Sequence, residues 1–150
     1  MDRHTTAASL GWAAALGFGL GGLFDGIVLH QVLQWHHLLS HMPSLDRPAL
    51  VTWDGLFHGV MYGVAAVALW GLWRQARRGG LPQGRRVLGA ILVGFGAWHV
   101  ADAVLAHWLL GLHRIRVEAE NPLAWDLGWL GAFGVIPLVV GLGLARRGRA

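Results

Sequence analysis

The sequence of 150 residues contains no cysteine and no lysine, and only 13% of its residues are charged. Without cysteine, the chain has no disulfide, no thiolate metal site and no covalently attached c-type haem. Only three methionines are present, so the soft sulfur ligands that copper(I) prefers are scarce. Few charges together with 55% hydrophobic residues and a mean hydropathy of +0.48 are typical of a membrane protein.

All twelve basic residues are arginine, and most of them lie in short clusters at the ends of apolar segments. Nucleic-acid binding requires a basic face that is interleaved with polar sequence, and no such face is present. The clusters instead follow the positive-inside rule, which places arginine-rich loops in the cytoplasm. We therefore expect the lipid bilayer as a partner and no nucleic acid.

Apolar runs that could each supply the roughly 20 residues of a bilayer-crossing helix occur four times. They cover residues 9–38, 49–73, 85–112 and 123–145. A basic stretch at 74–86 separates the second and third runs, and Arg146, Arg147 and Arg149 follow the fourth. The first run continues unbroken into the polar pattern described next, so we expect it to be kept as a span rather than cleaved as a signal peptide.

These runs predict an all-α integral membrane protein, with one membrane domain folded as a four-transmembrane-helix bundle. With four spans, the basic clusters fall on one side, so both termini are predicted to be cytoplasmic. Trp35, Trp53, Trp108 and Trp125 near the outer ends are typical of an aromatic interface belt. Glycines at 55, 59 and 63 predict a face of the second span where another helix packs closely.

A pattern of ionisable residues occurs twice along the chain. An Asp-x4-His-x5-His triad recurs after 77 residues, and a Trp-Asp pair that follows each triad recurs after 72 residues. The triads are Asp25, His30 and His36, then Asp102, His107 and His113, and the carboxylates of the pairs are Asp54 and Asp126. This repetition predicts two tandem parallel two-helix repeats, about 9–78 and 84–147, related by an axis along the membrane normal.

The predicted helices place these residues in the outer half of the bundle. On an ideal α-helix, Asp25 and His36 point in nearly the same direction but lie about 16 Å apart along the axis. We therefore expect a ladder of imidazoles and carboxylates, with Asp25 and Asp102 deepest. The inner half has almost no ionisable residue between the interface belts, and a channel would need polar lining right across. The pattern thus predicts a site that is open to the periplasmic side.

Imidazole with carboxylate is a ligand set that suits iron, zinc, manganese and copper(II), and the sequence does not distinguish these metals. We predict a mono- or dinuclear metal site for redox or metal-assisted chemistry. The candidate ligands are Asp25, His30, His36, His37, Asp54, His58, His99, Asp102, His107, His113 and Asp126. Among them, His36, Asp54, His113 and Asp126 could instead carry protons or orient the ligands that lie deeper.

Three alternatives stay open. His30 and His107 are equivalent in the two repeats and could be the axial ligands of a b-type haem, although such a haem has no use for Asp25 and Asp102. The protein could handle metal or act as an assembly factor within a larger respiratory membrane complex or a homo-oligomer. For any single residue, a structural hydrogen bond between helices is an equal explanation.

Three stretches carry a resemblance to a known family. Residues Gly22 to His37, Trp53 to His58 and His107 to His113 resemble a family of bacterial four-helix membrane proteins that is catalogued only as a domain of unknown function. The resemblance covers nearly the whole chain. It implies four spans in the bacterial inner membrane, and it implies no activity.

Overall fold

The computed structural model describes residues 3–146, which form helices and connecting loops with no strand. The α-helices are α1 (Arg3–Asp25), α2 (Arg47–Gly79), α3 (Gly84–Asp102), α4 (Pro122–Trp129) and α5 (Ile136–Arg146). Three π-helical segments are continuous with them: π1 (Gly26–Val32), π2 (Ala103–Leu109) and π3 (Leu130–Val135). Arg147 and Arg149 of the predicted basic tail, and the end of the predicted second repeat, lie outside the described residues.

Four continuous helical stretches of the described chain are long and apolar enough to cross a membrane. Spans 1 to 4 are His4–Val32, Arg47–Gly79, Gly84–Leu109 and Pro122–Arg146. The all-helical, four-helix prediction is confirmed. The predicted ends at residues 38 and 112 were wrong, because the chain leaves the helix after Val32 and again after Leu109.

Capping residues fix where spans 2 and 4 begin. The Asp46 side chain accepts a hydrogen bond from the backbone N–H of Ala49 (3.0 Å), and the Asn121 side chain accepts one from Ala124 (3.2 Å). A proline follows within the first helical turn in both cases, where its missing N–H costs nothing. Both spans therefore begin on the side of the protein where spans 1 and 3 end.

Spans 1 and 3 form the central pair of the bundle, with span 2 packed on span 1 and span 4 packed on span 3. Glycine allows the two central backbones to touch. A Cβ at Gly17 would lie 1.9 Å from the Ile91 carbonyl oxygen, and a Cβ at Gly94 would lie 1.8 Å from that of Ala14. Gly17 and Gly94 are 77 residues apart, as are Ala14 and Ile91. The same close contact is therefore made twice.

The glycines of span 2 do not fulfil the expectation of close packing within the chain. A Cβ at Gly55, Gly59 or Gly63 would meet no atom of the described chain within 4 Å. Their neighbours Val60 and Tyr62 are also exposed. This face is directed away from the described helices, which suits contact with lipid tails.

Alanine at Gly94 is expected to lower the unfolding temperature of the detergent-purified protein, and alanine at Gly59 is not. At Gly94 the new methyl group would meet the backbone of span 1, so the central helices must separate, at a cost of about 1–3 kcal/mol. At Gly59 the same substitution enters open space and favours the helix by up to about 1 kcal/mol. Thermal unfolding followed by circular dichroism measures both variants, and equal shifts would contradict the close contact.

Candidate metal centre

The two central spans end in the same way, with a π-helical segment followed by a tight reversal. After π1, the backbone N–H of Leu33 donates to Val28 (2.8 Å) and that of Trp35 donates to Leu29 (3.0 Å). After π2, the matching bonds run from Leu110 to Leu105 (2.9 Å) and from Leu112 to Ala106 (2.8 Å). Each bond of the second set lies 77 residues after its counterpart in the first.

A left-handed residue sits in each reversal. Gln34 has φ of 51° and Gly111 has φ of 62°, and these positions are again 77 residues apart. A left-handed residue after a helix ends it and redirects the chain. Here it returns His36 and His113 towards the ends of their own helices.

The reversal gathers each triad into one cluster. One ligand atom from each of Asp25, His30 and His36 lies within 4.8 Å of the other two. The second cluster, with ligand atoms within the same limit, consists of Asp102, His107 and His113. The expected separation of about 16 Å between Asp25 and His36 was therefore wrong, because it assumed an unbroken α-helix. We refer to the two clusters as the first and second triads.

Both triads are removed from solvent. Asp25, His30 and His36 are each at most 3% exposed, as are His107 and His113. Asp102 pairs within its triad, since its Oδ2 lies 2.9 Å from Nε2 of His107. Asp25 differs, because its Oδ1 is buried without a hydrogen-bond partner. Buried carboxylates require a compensating charge or donor, and a cation would satisfy this need.

The final histidine of each triad is held by the loop of the other half. The Nδ1–H of His36 donates to the carbonyl of Ile115 (2.9 Å), and the Nδ1–H of His113 donates to the carbonyl of Leu38 (2.9 Å). A carbonyl only accepts, so Nδ1 carries the proton in both rings. The Nε2 atoms of both rings are buried without a partner. Each Nε2 is thus available as a ligand atom.

His36 lies in the loop after span 1, and its surroundings keep it neutral. Burial, followed by the neighbouring imidazoles of His113 and His30, holds the pKa of His36 well below its usual value of 6.5. The hydrogen bond to Ile115 acts in the opposite direction and is outweighed. A neutral ring with Nδ1 protonated has its lone pair on Nε2, which is the form that binds a metal.

Asp54 and Asp126 orient the triads from outside. Oδ1 of Asp54 lies 3.0 Å from Nδ1 of His30 and accepts the backbone N–H of Leu38 (2.8 Å). Its Oδ2 accepts from Nδ1 of His37 (2.6 Å). The carboxylate is completely buried, so it fixes the loop and the second triad histidine together.

Asp126 has the matching role in the other half. Its Oδ1 lies 3.2 Å from Nδ1 of His107 and accepts the backbone N–H of Ile115 (3.0 Å). Its Oδ2 accepts from the guanidinium of Arg114 and from Nε1–H of Trp108 (3.4 Å). Neither Asp54 nor Asp126 belongs to the triads.

The four triad imidazoles form a continuous chain of rings. The centroids of His30 and His36 are 4.7 Å apart, and those of His107 and His113 are also 4.7 Å apart. Between these pairs, the rings of His36 and His113 stack at 4.4 Å with planes within 8° of parallel. The two triads are therefore neighbours that meet at this stack.

The remaining predicted histidines lie beside the triads. His37 is bonded to Asp54, as described. The ring of His58 is 6.1 Å from that of His30, and its Nε2 is buried without a partner. His99 donates from Nδ1 to the carbonyl of Phe95 (3.0 Å), while its Nε2 has no partner. Asp25, His58 and His99 thus retain unpaired polar atoms next to the chain of rings.

Sequence reasoning missed Arg114 and the two loop carbonyls. Arg114 was assigned to a solvated loop, yet it binds the buried carboxylate of Asp126. The 77-residue offset contained the signal, because Arg114 occupies the position that corresponds to His37. The carbonyls of Leu38 and Ile115 gave no signal, since any residue supplies a backbone acceptor.

A comparison with known protein families matches residues 13–148 to the family described as "Predicted membrane protein (DUF2243)". No curated protein and no solved structure matches the chain.

Proposed function

The chain belongs to the DUF2243 family of predicted membrane proteins, and from that premise we propose that it is a membrane metalloprotein with a dinuclear centre. The first triad would hold one ion and the second triad the other. Buried groups of three His and Asp residues could each hold a metal ion. The finer statements that follow are part of the proposal.

One observation carries the proposal, namely the free Nε2 atoms of His36 and His113. Each ring has its Nδ1–H committed to a carbonyl oxygen of the opposite loop and leaves Nε2 buried without a partner. An imidazole that serves only to hold the bundle together would be expected to use both nitrogens. Metal-ligating histidines typically donate the other ring N–H to a carbonyl or carboxylate.

The other members of the triads support the same proposal. His30 and His107 place Nδ1 near the carboxylates of Asp54 and Asp126, at 3.0 and 3.2 Å. A carboxylate in this position sets ring orientation and raises the basicity of the ligating nitrogen. We assign Asp54 and Asp126 as orienting residues, together with His37, and Asp25 and Asp102 as ligands. His58 could complete the first triad and His99 the second, from the bundle side.

Four imidazoles with two carboxylates suit iron, zinc, manganese or copper(II). A bound ion of this kind would supply Lewis acidity or, for iron and copper, electron transfer. The chain itself holds the imidazoles neutral, fixes their rings and excludes water from the triads. The matched contacts at the 77-residue offset support two tandem repeats, about 9–78 and 84–147, as the origin of the paired sites.

The proposed topology follows from charge. The basic stretch between spans 2 and 3 lies at the end of the bundle opposite the triads, because spans 1 and 3 run towards the triads. The positive-inside rule then places both termini in the cytoplasm and the centre on the periplasmic side of a bacterial inner membrane.

The chain of rings disfavours the b-type haem alternative. A haem ligated by His30 and His107 would need a flat space between them, and the stacked rings of His36 and His113 lie in that position. A role in handling metal for a larger complex would use the same triads, and it differs from a resident centre in how fast the ions exchange.

Elemental analysis with an absorption spectrum tests the proposal on protein purified in detergent. We expect close to two ions of one transition metal per chain and no Soret band, in keeping with the two triads. Ions that exchange within minutes against a chelator would favour the metal-handling role. A Soret band, or no metal after loading with each candidate ion, would overturn the proposal.

A further inference from the structure

A cavity of about 460 Å³ opens beside span 4, next to the end of span 1. It is lined by Trp35, Ala124, Trp125, Gly128, Trp129 and Phe133. None of these side chains carries a charge. The volume lies in the range of small-molecule sites, and aromatic walls with few polar groups are typical of sites for flat apolar ligands.

The walls of the cavity are held in fixed positions. The rings of Trp35 and Trp125 meet edge to face at 5.1 Å, and those of Trp129 and Phe133 lie 4.3 Å apart. The guanidinium of Arg116 lies 5.4 Å from the ring centroid of Trp35 and 5.0 Å from that of Trp125. Such cation–π contacts hold two walls together, so the cavity is preformed.

One polar atom in the wall lacks a partner. Nε1 of Trp129 is buried and makes no hydrogen bond within the described chain. The indole nitrogen is a donor only, and a buried donor without an acceptor is unfavourable. A ligand that carries a carbonyl oxygen would supply that acceptor. A lipid acyl chain could fill the same volume, but it would leave the donor unsatisfied.

The cavity adjoins both the surface of span 4 and the metal centre. Leu123 and Leu127 beside it are about half exposed, so access runs along the apolar outside of the span. Trp35 precedes His36 of the first triad, and Trp125 precedes Asp126, which orients the second triad. A ligand in the cavity would thus lie against residues that hold the centre in place.

We propose that this cavity binds a lipid-soluble quinone, with its ring among the aromatic side chains and a carbonyl oxygen accepting a hydrogen bond from Trp129. Aromatic walls, an unpaired donor and an opening on an apolar span are each matched by this class of ligand. The inference goes beyond the metal centre and does not depend on it, because the binding groups lie outside the triads.

Isothermal titration calorimetry with decylubiquinone tests the binding on metal-loaded and on chelator-stripped protein. We expect one equivalent to bind to both forms. Trp129→Phe retains the ring and removes the N–H, so it is expected to weaken binding about tenfold, the effect of losing one hydrogen bond. Trp98→Phe is the matched control, because Nε1 of Trp98 is also buried without a partner and Trp98 does not line the cavity.

A second variant tests the volume of the cavity. A Cβ at Gly128 would meet no atom within 4 Å, so the side chain of Gly128→Leu can occupy the cavity, and we expect quinone binding to be lost. Gly59→Leu is the control, since Gly59 is equally open and lies on span 2. The proposal is overturned if wild type binds no quinone, if both Trp129→Phe and Gly128→Leu bind as wild type does, or if decane competes as well as the quinone does.

Discussion

Replacing His36 with asparagine is expected to halve the metal content of the purified protein, from about two ions per chain to about one, while the protein still folds. The amide nitrogen of asparagine lies near the position of Nδ1 and can still donate to the carbonyl of Ile115. No atom of asparagine replaces Nε2. The substitution therefore removes the ligand atom and keeps the contact that positions the loop.

His113→Asn is the matching substitution in the second triad, because the ring of His113 makes the corresponding bond to Leu38. We expect each variant to weaken one ion by at least 10–100-fold, the loss that even outer-shell changes cause at metal sites. The double variant should retain no tightly bound ion. Mass spectrometry of the eluted metal and titration against a chelator measure both quantities.

His41→Ala is the control for these variants. His41 lies in the same loop as His36 but is exposed and belongs to neither triad. Its ring makes one hydrogen bond, to the carbonyl of Gly111 (3.0 Å). Its loss should leave the metal content unchanged. The assignment of His36 and His113 as ligands fails if their asparagine variants keep both ions, or if His41→Ala loses as much metal.

Replacing Asp54 with alanine is expected to destabilise the protein by about 3–5 kcal/mol, the usual cost of removing one partner from a buried charged network. Asp54 is completely buried and accepts from the backbone of Leu38 and the ring of His37, with the ring of His30 at 3.0 Å. Alanine leaves these donors buried without an acceptor. The first triad should lose its alignment at the same time as the loop.

Asp46→Ala is the matched control for this substitution. Asp46 is exposed and accepts one backbone hydrogen bond at the start of span 2, so its loss should cost only about 1 kcal/mol. Asp54→Asn separates charge from shape, since its amide oxygen can still accept from Leu38. Denaturant unfolding in detergent, together with the metal content, measures all three variants. Equal destabilisation by Asp46→Ala and Asp54→Ala would contradict the role assigned to Asp54.

The sequence predicted the parts of the fold that depend on composition and period. Four apolar runs with arginine clusters at their ends required four helices, because a bilayer tolerates only backbone whose hydrogen bonds are satisfied internally. The 77-residue offset also identified both triads in full, since residues that recur together in type and spacing are expected to share an environment. Those assignments depended on residue type and not on any distance.

The three-dimensional arrangement of the triads could not be predicted from an ideal helix. The π-helical segments and the left-handed residues Gln34 and Gly111 bring His36 and His113 back to Asp25 and Asp102. Gln34 is not a residue type that announces such a turn. The reversal depends on contacts with the other half of the molecule, among them the hydrogen bonds to Ile115 and Leu38.

The sequence by itself determined that the chain is a four-span membrane protein with two matching sets of histidines and aspartates. Only the tertiary structure decided their roles. It brought Asp25 and Asp102 into the triads and used Asp54 and Asp126 to hold the imidazoles from outside. The physical reason is that a carboxylate becomes a ligand or an orienting group according to which ring nitrogen it faces, and that depends on how separate helices and loops pack together.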